Sequence, residues 1–133
     1  RCTVTPAVNS GKIVICDRFI DSSIAYQGEA RGLGIDNIMA INNFALNGIM
    51  PDMTLFFDLP PEKGILRKKN ERLLDRLEAE KIDFHKKVYE GYKKLCRKYP
   101  ERIKVIDADD SMENIHNKVV KAVDILLKGK YYV

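Results

Sequence analysis

The run Lys12-Ile13-Val14-Ile15-Cys16, closed by Asp17-Arg18, sets the reading of everything around it. It is short, almost wholly apolar and rich in β-branched residues, which predicts a strand buried on both faces. Two more runs share its character. Met53 to Phe57 is entered through Pro51-Asp52 and ended by Asp58, and Ile103 to Ile106 lies near the C-terminal end. The stretches between them carry helical signals. A short helix is expected through Ile24 and Ala25, followed by a loop marked by Gly28, Gly32 and Gly34. Asp36 is the expected N-cap of a helix with Ile38, Ile41 and Ala45 on one face, closed by Gly48. Pro61 suits the first turn of the next helix, which runs through a basic segment. Ile82, His85, Val88, Tyr89, Tyr92 and Cys96 recur at three- and four-residue steps, an amphipathic helix in which both tyrosines read as core. Ser111 caps a final helix with an apolar stripe of Ile115, Val119, Ala122, Val123 and Leu126. Short apolar strands alternating with longer helices predict an α/β fold with a parallel sheet.

At 133 residues the sequence supports one domain rather than two. Its 45% hydrophobic and 32% charged content exclude a disordered or fibrous chain. No apolar run approaches the roughly 20 residues of a membrane helix. Three cysteines without a CxxC pair, and two histidines, give no zinc-like cluster and fit a reducing cytosol, with Cys16 and Cys96 expected to be buried. Both histidines, His85 and His116, read as helix-surface or partly packed residues. A net charge of +4, with acidic and basic residues interleaved, argues against a broad nucleic-acid surface. The exception is Lys63 to Arg76, where Arg67, Lys68, Lys69, Arg72 and Arg76 crowd together. In isolation that run reads as a solvated helix face.

Open parallel sheets bind ligands beyond the C-terminal ends of their strands, so the residues after each apolar run carry the functional weight. Asp17, Arg18, Ser22, Ser23, Tyr26 and Gln27 follow the first run, an unusual density of polar groups. Their bland reading is an Asp17–Arg18 ion pair and a serine helix cap. After the third run comes Ile106-Asp107-Ala108, where the backbone edge of Ala108 could read a nucleotide base or simply turn.

The twelve residues Asp17-Arg18-Phe19-Ile20-Asp21-Ser22-Ser23-Ile24-Ala25-Tyr26-Gln27-Gly28 resemble the signature of the thymidylate kinase family. Pro51-Asp52, the lid-like Asp75-Arg76-Leu77-Glu78 and the segment Phe84 to Tyr92 match in order and spacing, so the resemblance covers the chain from Pro6 onward. It implies a P-loop-type nucleoside monophosphate kinase fold that transfers a phosphoryl group from ATP to dTMP, with Mg²⁺, in the cytoplasm. Neither nucleic acid nor membrane is an expected partner, and the complete enzyme is expected to be a homodimer. One departure stands out. No GxxxxGK[ST] run is present, and Gly11-Lys12 leads into the predicted strand rather than a helix. The expectation is therefore the C-terminal two-thirds of one kinase domain, with a lid at about 63–80 and the first strands missing. The first strand of that fold would lie between the 12–16 and 53–57 runs. By itself such a polypeptide is expected to be inactive. The alternatives are a deoxynucleoside kinase or a catalytically dead fragment.

By the same resemblance, Arg18 binds the acceptor phosphate and Asp17 orients it, reaching magnesium through water. Ser22 and Ser23 approach the thymine and the sugar-phosphate, and Gln27 belongs to the same dTMP site. The Tyr26 ring lies where a 2′-hydroxyl would project. Arg67 packs over the adenine, with Ala108 in the same ATP site, while Arg72 and Arg76 neutralise the transferring phosphoryl group and also contact ATP. Asp75 and Glu78 read as helix-face partners. No residue is expected to ligate metal directly.

Overall fold

The computed structural model describes residues 3–69 and 76–131. Two strands, β1 (Thr54–Asp58) and β2 (Ile103–Asp107), pair in parallel, Thr54 opposite Ile103 and Asp58 opposite Asp107. Around them stand α1 (Val4–Asn9), α2 (Ile20–Ser23), a π-helical segment π1 (Ile24–Ala30), α3 (Ile35–Leu46), α4 (Pro61–Lys69), α5 (Arg76–Lys98) and α6 (Met112–Tyr131). Parallel strands need a long crossover, and the segment containing α4 and α5 supplies it. The α/β expectation holds, as do two of the three expected strands, each within a residue of its predicted bounds.

The core joins Ile20, Ile24 and Ala25 to Ile38, Phe56, Val88, Leu95 and Ile103. Helix α5 lies directly across π1, and Gly91 permits the approach. A Cβ there would meet the Glu29 Cβ at 3.0 Å and the Ala25 Cα at 3.1 Å. The close contact sets the wall against which Tyr26 and Tyr92 are placed.

Several local expectations need correction. Residues 12–16 are not a strand: Ile13 is 64% and Ile15 91% exposed, and Cys16 is exposed rather than buried. A β-branched run becomes a strand only where a ladder partner satisfies its backbone and a surface covers its side chains. Among the described residues β1 pairs with β2 alone, and neither condition is met at 12–16. Strand β1 itself is only partly buried, since Phe57 is half exposed. Asp36 does not cap α3. Gly34 (φ +87°) holds that place and Asp36 sits in the first turn, while Ile41 and Ala45 face outward. Asn47, left-handed at φ +49°, closes the helix before Gly48. Ser111 does cap α6, its hydroxyl accepting from the Asn114 N–H at 3.2 Å.

Candidate functional site

Arg18 leaves an exposed stretch rather than a buried strand, so its side chain is positioned by contacts with the segment that follows it. Its backbone is left-handed, φ +65°. For a residue with a Cβ, that conformation costs about 1–2 kcal/mol and persists only where the surroundings enforce it. The guanidinium lies 4.2 Å from the centroid of the Tyr26 ring. Its Nε donates to the Ser22 hydroxyl at 3.3 Å, and that hydroxyl is 2.6 Å from the Tyr92 hydroxyl. Tyr26 is braced edge-on by Phe84, with ring centroids 5.9 Å apart, and Tyr92 is stacked on Phe56 at 5.0 Å. No described residue takes the Arg18 Nη1 or Nη2 groups, so the two-pronged end of the fork is available to an anion.

The neighbouring Asp21 is buried and points the other way, into the fold. Both its oxygens accept from Arg102 at 2.7 Å, and Oδ2 also accepts from the Thr54 hydroxyl at 2.7 Å. Arg102 lies 5.4 Å from the Tyr99 ring centroid. This ion pair ties α2 to the entrances of both strands. Π-helical segments are rare and concentrate at functional sites. Here π1 begins directly after Ser23 and carries Tyr26 and Gln27, and the Gln27 Oε1 is buried with no hydrogen-bond partner among the described residues.

At the C-terminal end of β1, Asp58 accepts from the Tyr89 hydroxyl at 2.6 Å and from Lys93 at 2.7 Å. Burial opposes ionisation of Asp58, but the Lys93 and Tyr89 hydrogen bonds outweigh it and hold the carboxyl below its ordinary range. The same bond, with burial adding to it, pushes Tyr89 up to about 12. A pocket of about 300 Å³ opens beside this group between β1, α4 and α5, with Leu59, Ile65, Val88 and Tyr92 in its wall. A second contact set joins α4 to the end of β2. Arg67 donates to the Ala108 carbonyl at 3.1 Å and to Asp109 at 3.3 Å, and Lys63 also pairs with Asp109. The Lys63 hydrogen bond is the main cause of the lowered Asp109 pKa.

The structure thus brings together Arg18, Ser22 and Tyr26, with Ser23 and Gln27 on the same continuous segment, and separately joins Arg67 to Ala108. Asp17 is exposed and takes no part in holding Arg18, whose Nε is met by Ser22 instead. Arg72 and Asp75 lie outside the described residues. Arg76 is the first residue of α5, and its side chain and that of Glu78 also lie outside them. His85 and His116 are exposed, as expected.

The family model described as thymidylate kinase matches residues 2–119. The chain belongs to the thymidylate kinase family. A thymidylate kinase of Clostridium novyi (strain NT) is 58% identical over 87% of this chain and 58% of its own length. The thymidylate kinase of Oceanobacillus iheyensis is 49% identical over 96% of this chain and 57% of its own length. For that of Geobacillus thermodenitrificans (strain NG80-2) the figures are 45%, 95% and 57%. The chain therefore spans just under three-fifths of the length of these thymidylate kinases. Among the described residues no helix is long and apolar enough to cross a membrane.

Thymidylate kinase membership directs attention to strand ends, but three polar groups there were not assigned from sequence. Tyr89 and Tyr92 sit on the apolar stripe of α5, where periodicity reads them as core. Their rings are partly buried and their hydroxyls serve Asp58 and Ser22. Asp21 lies within the signature, yet its partner Arg102 is 81 residues away. A tyrosine on a buried stripe, which needs a partner for its hydroxyl, was the available signal for the first two.

Proposed function

We propose that the full-length protein transfers the terminal phosphoryl group of ATP to dTMP, giving dTDP. The carrying observation is Arg18, whose Nε is held by Ser22 and whose face rests on Tyr26 while both terminal nitrogens have no partner among the described residues. A planar fork fixed in this way suits two oxygens of a monophosphate, and little covalent chemistry is asked of a protein in phosphoryl transfer beyond positioning and charge stabilisation. Ser22, Ser23, Tyr26 and Gln27 would surround the remainder of dTMP. Arg67 and the Ala108 backbone would meet the nucleotide base of ATP, and Arg72 and Arg76 would counter charge on the group in flight. The described residues contain no cluster of three metal-binding side chains. A magnesium ion, which keeps much of its hydration, would be carried by the phosphates and waters, with Asp17 as an outer ligand. When bound, the ion supplies charge neutralisation at the phosphates. Exposed Ile41 and Phe44, three residues apart on α3, support the reading of a homodimer.

Calorimetric titration of dTMP, beside steady-state rates, tests the assignment in the full-length protein. Arg18→Ala is expected to weaken dTMP binding by roughly 2–5 kcal/mol where the phosphate site is desolvated. Arg72→Ala or Arg76→Ala is expected to lower kcat with dTMP affinity nearly intact. An Arg18→Ala protein that binds dTMP normally, beside a lid variant that does not, reverses the two roles.

A further inference from the structure

We propose that Tyr92 is a positioning residue for acceptor recognition, acting through Ser22 to aim the Arg18 fork; the inference rests on Arg18 being the phosphate ligand. The geometry is a chain of three groups from three elements. Phe56 in β1 stacks on Tyr92 with ring planes 14° apart, which removes the tyrosine's freedom to swing. Tyr92 in α5 meets the buried Ser22 hydroxyl at 2.6 Å, and Ser22 accepts from Arg18 Nε. A serine hydroxyl in a helix is otherwise a free rotor that turns back to bond its own backbone. Tyr92 pins that rotor, so the Ser22 lone pair stays where Nε needs it. Tyr26 sets the tilt of the guanidinium plane, while Ser22 sets its rotation within that plane.

The arrangement also accounts for the left-handed Arg18 backbone. A strained residue on an exposed stretch keeps its conformation only if its side chain is anchored, and the anchors available are Tyr26 and the Tyr92–Ser22 pair. Fold stability alone would be served by phenylalanine at position 92, because the Phe56 stack needs only the ring. The hydroxyl faces Ser22, one bond from the candidate phosphate fork.

The test compares Kd for thymidine and for dTMP in the full-length protein, since their ratio isolates the phosphate's contribution. Arg18→Ala should collapse the ratio. Tyr92→Phe should lower it by about 3- to 10-fold, the size of one net hydrogen bond, with thymidine affinity and the thermal midpoint almost unmoved. Ser22→Ala should lower the ratio by a similar factor. In the Arg18→Ala background Tyr92→Phe should do nothing further, because the pair acts only through the arginine. Equal weakening of thymidine and dTMP in Tyr92→Phe would make the tyrosine merely structural and overturn the inference. An unchanged ratio in Tyr92→Phe, with Arg18→Ala still collapsing it, overturns the inference and leaves the phosphate assignment standing. If Arg18→Ala leaves the ratio intact, both fall together.

Discussion

Asp21→Ala should destabilise the fold far more than an ordinary surface substitution. Its side chain is 4% exposed and that of Arg102 17%, so the pair is close to fully buried. The substitution removes two charge-assisted bonds from Arg102 and one from Thr54, leaving a guanidinium with one remaining side-chain bond, to Thr54 at 3.0 Å. Stranding one partner of a buried pair costs about 3–5 kcal/mol. Water can reach the partly exposed Arg102 edge, so the lower end, about 3 kcal/mol, is the expected figure. In a protein the length of the matched relatives, about 200 residues, each kcal/mol lowers the thermal midpoint by roughly 2–4 °C, giving a drop of about 6–12 °C. Urea and thermal unfolding of the full-length protein measure it. The loss should be nearly the same at low and high salt, because burial shields the pair from counterions. The double variant Asp21→Leu/Arg102→Met should recover at least half of the loss, since no charge is left stranded. A single-variant cost below about 1 kcal/mol, or a loss that vanishes in salt, would mean the pair behaves like a surface contact and does not anchor α2.

Two further outcomes follow from residues near the candidate site. Tyr26→Ala should narrow the preference for dTMP over the corresponding ribonucleotide by about 10- to 200-fold in kcat/KM, as expected for removal of a steric block; an unchanged ratio would restrict Tyr26 to supporting Arg18 and Phe84. Tyr89 has its folded-state pKa raised from 10.0 to about 12, so its contribution to stability is fully present below pH 10 and is lost as pH rises towards 12. Tyr89→Phe should flatten that alkaline loss and remove one late-titrating phenol from an ultraviolet titration, leaving Tyr92, which burial also pushes up, and an unchanged number of late phenols would assign the shift to another tyrosine.

Sequence legibility followed the range of the interactions involved. Strands β1 and β2 and the helices α3 to α6 announce themselves through local periodicity and breakers such as Pro61; β1, β2, α3 and α6 lie close to the predicted bounds, whereas α5 begins at Arg76, inside the segment expected to belong to the helix before it. The 12–16 run carried an equally strong local signal and failed. Its β-branched residues express a preference for a half-buried pleated surface, and among the described residues nothing supplies one. Propensity there described what the segment would accept rather than what it finds. The left-handed Arg18 and the capping of α3 by Gly34 were also out of reach, because both depend on how neighbouring segments close on one another.

The candidate site divides along the same line. Arg18, Ser22 and Tyr26 were legible because they fall in one unbroken motif, so the short segment that folds into α2 and π1 brings them together locally. Their supports were not, since Tyr92 and Arg102 reach them from 70 and 81 residues away. This asymmetry bears on which substitutions would be mistaken for neutral. Tyr92→Phe and Arg102→Lys both look conservative by residue type. The first deletes the hydroxyl that pins Ser22, and the second replaces a planar fork that bonds both Asp21 oxygens with a single ammonium. If the site works through an aimed guanidinium, the first should act on phosphate recognition and the second on fold stability, although both begin at adjacent residues of α2. Ser22 and Asp21 face opposite tasks because successive residues of a helix turn point about a quarter-circle apart. One short helix thereby carries the anchor that fixes it in the fold and the hydroxyl that aims the arginine.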